Sequence, residues 1–172
     1  MEDREFMRMA MDLAAEAAAE GEVPVGCVIA LGDRIVGRGR NRRETGKNAL
    51  YHAELEAIDR ACKELGGWRL WECTLYVTLE PCPMCAGAIV NARIPRVVFG
   101  APDPKNGCCG SVVNLFSLPL NHRPELTGGV LEAECAAQLS DFFSQLRLQR
   151  PRRRHWSRDE AASDREQVIS DK

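Results

Sequence analysis

Apolar side chains recur along this chain in two kinds of block, one at helical spacing and one in short continuous runs. The first block repeats at every third or fourth position and predicts a helix over residues 4–20, which Gly21 ends. The apolar run 25–31 is followed by a Gly-Asp turn and a second run at 34–39. This pattern predicts a β-hairpin.

The same pattern continues downstream with alternating strands and helices. It predicts a polar loop at 42–51, a helix at 52–65, a strand at 74–79, a helix at 82–91, a strand at 96–100, a short strand at Val130-Leu131 and a final amphipathic helix at 134–148. No internal repeat is seen. Strands that alternate with helices predict an α/β fold, a three-layer α/β/α domain around a central mixed sheet.

Composition adds the expected domain boundaries. The chain has 172 residues, 45% of them hydrophobic and 28% charged, which suits one globular domain. We expect this domain to cover residues 1–150 and a basic, then polar, disordered tail to cover 151–172. A net charge of −2 argues against a protein that coats nucleic acid through bulk charge. The local cluster Arg147, Arg150 and Arg152–Arg154 is equally compatible with an RNA-binding surface and with a solvated tail.

The apolar runs, the N-terminus and the cysteines together indicate the cellular compartment that we expect. No apolar run approaches the roughly 20 residues of a membrane span, and the N-terminus has no basic, apolar signal pattern. We therefore expect a cytoplasmic protein without a membrane partner. Its eight cysteines fit a reducing compartment, where thiols stay free. Four of them are scattered among apolar neighbours and are expected in the core, namely Cys27, Cys62, Cys73 and Cys135.

Two short strings carry the chemistry. His52-Ala53-Glu54 is followed, after 26 residues, by Pro81-Cys82-Pro83-Met84-Cys85. Both strings stand at predicted helix starts, and Cys82 and Cys85, three residues apart, share one helix face. One imidazole and two thiolates make a three-ligand zinc site that keeps a position open for water. We expect one Zn²⁺ per chain, bound by His52, Cys82 and Cys85.

Glu54 is the predicted catalytic residue. It falls within the angular range of the apolar stripe Leu55, Ile58, Cys62 and Leu65, where a carboxylate is costly unless the site uses it. Two thiolates cancel the charge of Zn²⁺, so water at this metal needs a base. Glu54 would take the proton from water, pass it to a ring nitrogen and later protonate the leaving ammonia. No redox cofactor is implied.

Simpler interpretations exist for each string alone. An isolated C-x-x-C is also typical of half a zinc ribbon or of a redox pair. However, no second pair with ribbon spacing is present, and His122 and His155 are the only other histidines. A four-ligand structural zinc site therefore lacks partners, and the catalytic interpretation is favoured.

Longer strings extend the match beyond the zinc motif. From about Phe6 to Arg147, the chain resembles the bacterial tRNA-specific adenosine deaminases of the cytidine-deaminase superfamily. The zinc strings alone are shared with guanine, cytosine and deoxycytidylate deaminases, whereas the later strings favour the tRNA enzyme. The resembling segments are residues 22–26, 39–42, 52–54, 74–88 and 96–101, then Asp103, Lys105 and Gly107, and finally residues 110–111, 121–123 and 139–143.

The resemblance implies a homodimer that deaminates the wobble adenosine of a tRNA anticodon loop to inosine. It implies Asn41 as a contact of the flipped base or its sugar. Further RNA contacts are implied for Asp103, Lys105, Asn121, Phe142 and Phe143, and we expect the arginines from Arg147 onward to extend this surface. Asp103 stands between two prolines and is also typical of a turn former. Phe142 and Phe143 are adjacent on a helix, so we expect at least one of them in the core.

The chain departs from its relatives at Arg43-Glu44-Thr45 and Tyr51, and at Cys108-Cys109, which we interpret as small loop fillers. Three other functions compete. A guanine or cytosine free-base deaminase would need no basic surface, and a non-catalytic zinc-stabilised RNA-binding subunit would need no Glu54. A riboflavin-pathway deaminase would normally carry a reductase domain, for which 172 residues leave no room.

Overall fold

The computed structural model describes residues 1–150. In chain order its elements are α1 (Asp3–Ala19), β1 (Gly26–Leu31), β2 (Arg34–Arg40), α2 (Ala53–Leu65), β3 (Cys73–Leu79), α3 (Pro83–Asn91), β4 (Arg96–Ala101), β5 (Glu125–Thr127) and α4 (Glu132–Gln149). A single 3₁₀ turn, Leu115–Ser117, lies in the long connection after β4. Each predicted element up to β4 is confirmed to within two residues at its ends.

The five strands form one mixed sheet in the order β2-β1-β3-β4-β5. β1 pairs antiparallel with β2 and β3, whereas β3, β4 and β5 run parallel. Alternate residues of β1 point to opposite faces, so Val28 packs with α1 and Ile29 packs with α2 and α3. The predicted three-layer α/β/α fold with a mixed sheet is confirmed.

α2 lies unusually close to β2. Its buried face consists of Ala53, Ala57 and Ala61, together with Glu54. A Cβ on Gly39 would collide with the carbonyl oxygen of Ala53, and one on Gly37 would collide with that of Ala57. Small residues on both elements therefore let the two backbones touch.

The apolar stripe expected on α2 was therefore misplaced. Its members Leu55, Ile58, Cys62 and Leu65 are only half-buried, while the alanines face the sheet. Large side chains cannot fit where helix and strand backbones are in contact, so they flank the contact instead. Glu54, which was expected within the angular range of that stripe, is nevertheless buried, because it shares the buried helix face with the alanines.

The short strand predicted at Val130-Leu131 is wrong. The strand that completes the sheet is β5, and its Glu125 pairs with Arg96 of β4. Gly129 and Leu131 have φ angles of +83° and +52°, which are incompatible with an extended strand. Leu131 is buried all the same, because the turn before α4 places it against α1 and the sheet.

α4 begins at Glu132, two residues before its predicted start, and spans two compact units. Met1–Phe142 form the first unit, and the chain from Phe143 onward belongs to the second. Along the described length of α4, Cys135 is the one buried side chain. The expectation that Phe142 or Phe143 is core is therefore wrong, since Phe142 is half-buried and Phe143 is 40% exposed.

The boundary expected at residue 150 stays a prediction. The predicted tail 151–172, with Arg152–Arg154, lies outside the described residues. Between residues 1 and 150, no helix is both long enough and apolar enough to cross a bilayer.

The start of α1 is tied to the sheet by one carboxylate. Arg96 donates to both oxygens of Asp3, over 2.8 and 2.7 Å, and the Tyr76 hydroxyl donates to the same carboxylate over 3.1 Å. The hydrogen bonds from Arg96 lower the pKa of Asp3 below its ordinary value. Asp3 thus links α1 to β3 and β4.

Replacing Gly39 should displace α2. We expect Gly39→Ala to destabilise the protein by about 1–3 kcal/mol, because its Cβ meets helix backbone that cannot move aside cheaply. Thermal unfolding should then show Tm lowered by roughly 2–10 °C. Gly67→Ala is the matched control, since a Cβ there meets no atom within 4 Å. Equal Tm values for the two variants would contradict the close approach.

Asp3→Asn should weaken the protein in a pH-dependent way. A folded-state pKa below the unfolded value means that the charged carboxylate adds stability above about pH 4 and loses it as the pH falls through the folded pKa. Chemical denaturation at pH 7 should show a loss of about 1 kcal/mol. The difference from the unchanged protein should shrink towards pH 3, and a pH-independent difference would contradict this role.

Candidate active site

Two helices start at the same edge of the sheet and bring the predicted ligands together. His52 is the N-cap residue of α2, Cys82 is the N-cap residue of α3, and Cys85 lies in the first turn of α3. The sulfur atoms of Cys82 and Cys85 lie 3.6 and 3.5 Å from Nδ1 of His52. All three potential ligand atoms are within 4.8 Å of one another. The site lies off the helix N-termini, as the spacing predicted.

These separations fit a zinc ion. Tetrahedral zinc with bonds of about 2.05 Å to nitrogen and 2.3 Å to sulfur places the two donor atoms about 3.6 Å apart. Both nitrogen–sulfur distances agree with that value. Cys85 is buried, and His52 and Cys82 are half-buried, so one side of the cluster remains open. The arrangement can therefore hold a metal through three ligands.

The cluster is also electrostatically coupled. The Cys85 thiol donates to the sulfur of Cys82, and His52 lies beside it, so the pKa of Cys82 is lowered. The same contact raises the pKa of Cys85, and the hydrogen bond to Cys82 raises that of His52. A thiolate therefore forms readily at the N-terminus of α3, where the helix dipole favours negative charge.

Glu54 lies directly beside these ligands. It is the second residue of α2 and is only 4% exposed. Burial raises its pKa to about 7, and its carboxylate interacts with the Cys85 thiol. A buried carboxyl group next to three potential metal ligands is well placed to exchange protons with a molecule that enters the site.

Asn41 supports the loop that precedes His52. Its Nδ2 donates to the carbonyl oxygen of Val23 over 3.2 Å, and its Oδ1 accepts from the Arg43 N–H over 3.1 Å. The fully buried Glu22 ties down the same loop by accepting from the N–H groups of Glu44 and Thr45. The base contact expected of Asn41 stays a prediction.

Asp103 forms a turn. Its Oδ1 accepts from the N–H groups of Lys105 and Asn106, over 3.0 and 3.2 Å, as a side chain organising a local turn does. Lys105 itself is exposed. The structure thus places Asp103 and Lys105 just after the end of β4, at the edge of the sheet that carries the cluster. Their contacts with RNA stay predictions.

The remaining predicted contacts lie after β4 in the chain, in the segment from Asn121 to Arg147. Asn121 precedes His122, whose Nε2 lies 2.7 Å from the carbonyl oxygen of Ile94, at the edge where β4 begins. Phe142 ends the first compact unit, whereas Phe143 and Arg147 belong to the second, in which Arg147 donates to the Ser144 hydroxyl over 3.2 Å. The roles expected of all four stay predictions.

Glu80 was missed by the sequence analysis. It is 2% exposed and accepts from the Asp103, Cys109 and Ser111 N–H groups and from the Ser111 hydroxyl. Burial alone would raise its pKa, but these hydrogen bonds outweigh that effect and lower it. The available signal was one charged residue at the end of an apolar strand, directly before Pro81-Cys82.

Comparisons with known proteins agree with this site. The MafB19-like deaminase family model matches residues 1–147. A curated tRNA-specific adenosine deaminase of Bacillus subtilis is 51% identical over 85% of this chain and 91% of its own length. A structure from a study of A-to-I editing by tRNA:A34 deaminases at the wobble position of transfer RNA is 44% identical, covering 78% of this chain and 99% of its own, with a TM-score of 0.76.

A guanine deaminase from Bacillus subtilis is a more distant match. It is 31% identical over 91% of this chain and the whole of its own, with a TM-score of 0.58. The fold is thus shared with a guanine deaminase, while the higher identity lies with the tRNA enzymes. The chain belongs to the MafB19-like deaminase family and, within it, to the tRNA-specific adenosine deaminases.

Proposed function

We propose that this protein hydrolyses the exocyclic amine of the wobble adenosine in a tRNA anticodon loop, leaving inosine and ammonia. The observation that carries this proposal is the cluster of His52, Cys82 and Cys85 with its two nitrogen–sulfur distances of 3.6 and 3.5 Å and with buried Glu54 beside it. It occurs in a chain 51% identical to a curated tRNA-specific adenosine deaminase.

We further propose one Zn²⁺ per chain at this cluster. Bound there, zinc supplies a Lewis acid that makes water a nucleophile near neutral pH. The chain contributes the two sulfurs and one nitrogen from two helix starts, which hold the donors at fixed separations. Rigid donors keep the open position in one place, so the adenine ring can be oriented against it.

Glu54 would carry the protons. Its side chain is buried, and so are Ala53 and Ala57 in the same part of the helix, so little bulk water reaches it. From this position its carboxylate would take one proton from water and donate it to a ring nitrogen. It would then take the proton of the new hydroxyl group and donate it to the amine, which leaves as ammonia. One carboxylate would serve all of these transfers, so no second acid is needed.

An anticodon loop suits this open cluster. A loop nucleotide is already partly unstacked, so extruding its base costs less than extruding one from a duplex. We propose Asn41, Asp103 and Lys105 as contacts to the loop, with Asn121, Phe142, Phe143 and Arg147 as further contacts in the assembled enzyme. A homodimer is the assembly that we propose. The cytoplasm, where tRNA is found, is the proposed compartment.

The direct test is editing of tRNA. The purified protein is incubated with a pool of unmodified tRNAs, which is then sequenced for A-to-G changes at the first anticodon position. We expect changes confined to tRNAs with adenosine at that position. Ammonia release from free guanine, cytosine or adenosine, without any change in tRNA, would contradict this function and support a free-base deaminase.

Removing either thiol should remove the metal. We expect Cys82→Ala and Cys85→Ala to lose zinc and to unfold at lower temperature, because two remaining ligands bind the ion poorly. Metal content per chain is measured by mass spectrometry, with half-buried Cys62→Ala as the control that keeps zinc. Stoichiometric zinc in both ligand variants would rule out this site.

Glu54→Gln should separate binding from chemistry. The amide keeps the shape of the side chain but cannot accept and return protons, so turnover should fall by about 10²- to 10⁴-fold. Zinc content and tRNA affinity should stay near those of the unchanged protein. Exposed Glu64→Gln, in the same helix, is the matched control. Near-normal turnover of Glu54→Gln would mean that another residue moves the protons.

A further inference from the structure

The buried carboxylate of Glu80 accepts several hydrogen bonds from one loop, residues 103–111. The loop donors are the N–H groups of Asp103, Cys109 and Ser111, at 2.8, 3.0 and 3.0 Å, together with the Ser111 hydroxyl. Within residues 1–150, no lysine, arginine or histidine forms an ion pair with this carboxylate. Its charge is therefore stabilised by loop donors, which makes the loop conformation depend on it.

Neighbouring backbone contacts strengthen the same attachment. The Glu80 N–H donates to the carbonyl oxygen of Ala101, and the Cys108 N–H donates to that of Pro81, each over 2.9 Å. Gly107 approaches so closely that a Cβ there would collide with the carboxylate of Glu80. The loop 103–111 is thus bound to the two residues that immediately precede the ligand Cys82.

This attachment connects two parts of the proposed function. On one side is Cys82, at the start of α3. On the other are Asp103, which shapes the turn, and Lys105, whose exposed side chain extends from it. A loop tied at three N–H groups loses little further entropy when RNA binds, which increases affinity.

We propose that Glu80 is a positioning residue for RNA recognition: its carboxylate holds the loop 103–111 beside the metal cluster, so that Lys105 meets the anticodon loop in one fixed place. This inference rests on the proposed function. Glu80 itself touches neither substrate nor metal. It acts through the loop, and therefore through the affinity for tRNA rather than through the chemical step.

The test compares Glu80→Gln with the unchanged protein in steady-state kinetics and in limited proteolysis. The amide keeps one acceptor oxygen but turns its NH₂ group towards the other loop donors, so at least half of the attachment is lost and the loop should detach. We expect KM for tRNA to rise about tenfold or more, as for loss of a charge-assisted contact. We also expect kcat to stay within about threefold and zinc to stay at one per chain, since Glu54 and the ligands are unchanged.

Trypsin gives a readout that does not depend on tRNA being the substrate. Cleavage after Lys105 should become faster in Glu80→Gln, while cleavage after Lys47 stays slow. Glu22→Gln is the matched control, because this buried carboxylate holds the loop of Glu44 and Thr45 instead. It should expose Lys47 and leave Lys105 protected. Ser111→Ala removes one of the four hydrogen bonds and should show the Glu80→Gln effects in weaker form, even if Glu80→Gln does not fold.

The outcomes separate this inference from the proposed function. If the wild-type protein edits no tRNA, the proposed function is refuted. The trypsin pattern would still show whether Glu80 holds the loop 103–111. With tRNA editing intact, an unchanged KM despite faster cleavage after Lys105 overturns the role in RNA recognition. For Glu80→Gln, the inference would also be overturned by loss of zinc, by a fall in kcat without a change in KM, or by equal rates of trypsin cleavage after Lys47 and Lys105. Ser111→Ala would overturn it by behaving like the wild-type protein in every measurement.

Discussion

α2 and β2 touch through their backbones, and the position of the proposed proton carrier, Glu54, follows from that contact. Gly37 and Gly39 leave no side chain between the strand and Ala53 and Ala57 of the helix. The first turn of α2 therefore cannot shift along or away from the sheet without opening a gap in a close-packed interior. His52 and Glu54 flank Ala53 in the sequence, so the same contact fixes the positions of both the imidazole and the carboxylate.

Three buried glutamates show how this fold uses charge. Glu22, Glu54 and Glu80 are all less than 5% exposed, and burying a carboxylate is costly unless donors surround it. Glu22 and Glu80 accept from loop N–H groups and so hold the segments before His52 and after β4. Glu54 has thiols and an imidazole as neighbours instead, and burial raises its pKa to about 7. Two of the carboxylates hold loops in place, and the third is the one proposed to carry protons.

The cluster could be predicted from sequence because each of its two strings is local and the pair matches the zinc deaminase signature, although His52 and Cys82 are 30 residues apart. Cys82 and Cys85 are three residues apart at a helix start, and Glu54 stands two residues after His52, so spacing alone restricts where they point. Glu80 could not be identified in this way. Its partners lie 23 to 31 residues further along, and only the folded chain shows which N–H groups reach it.

The errors in the prediction have a common physical cause. Apolar Val130-Leu131 was interpreted as a strand, yet the φ angle of +52° at Leu131 places it in a turn that buries the side chain without pairing the backbone. At least one of the apolar Phe142 and Phe143 was likewise expected in the core, and neither is fully buried. Apolarity records a tendency to leave water, whereas pairing and burial depend on tertiary contacts that a short sequence window does not contain.

The proposed deamination needs a metal that is held by three protein ligands, two of them sulfur, and not by four. Cys108 and Cys109 are buried close to Cys82 and are the available alternative donors. Zinc-edge X-ray absorption of the purified protein counts sulfur donors directly. We predict two sulfurs at about 2.3 Å with lighter donors making up the rest. Three or four sulfurs would indicate a closed structural site and contradict the account.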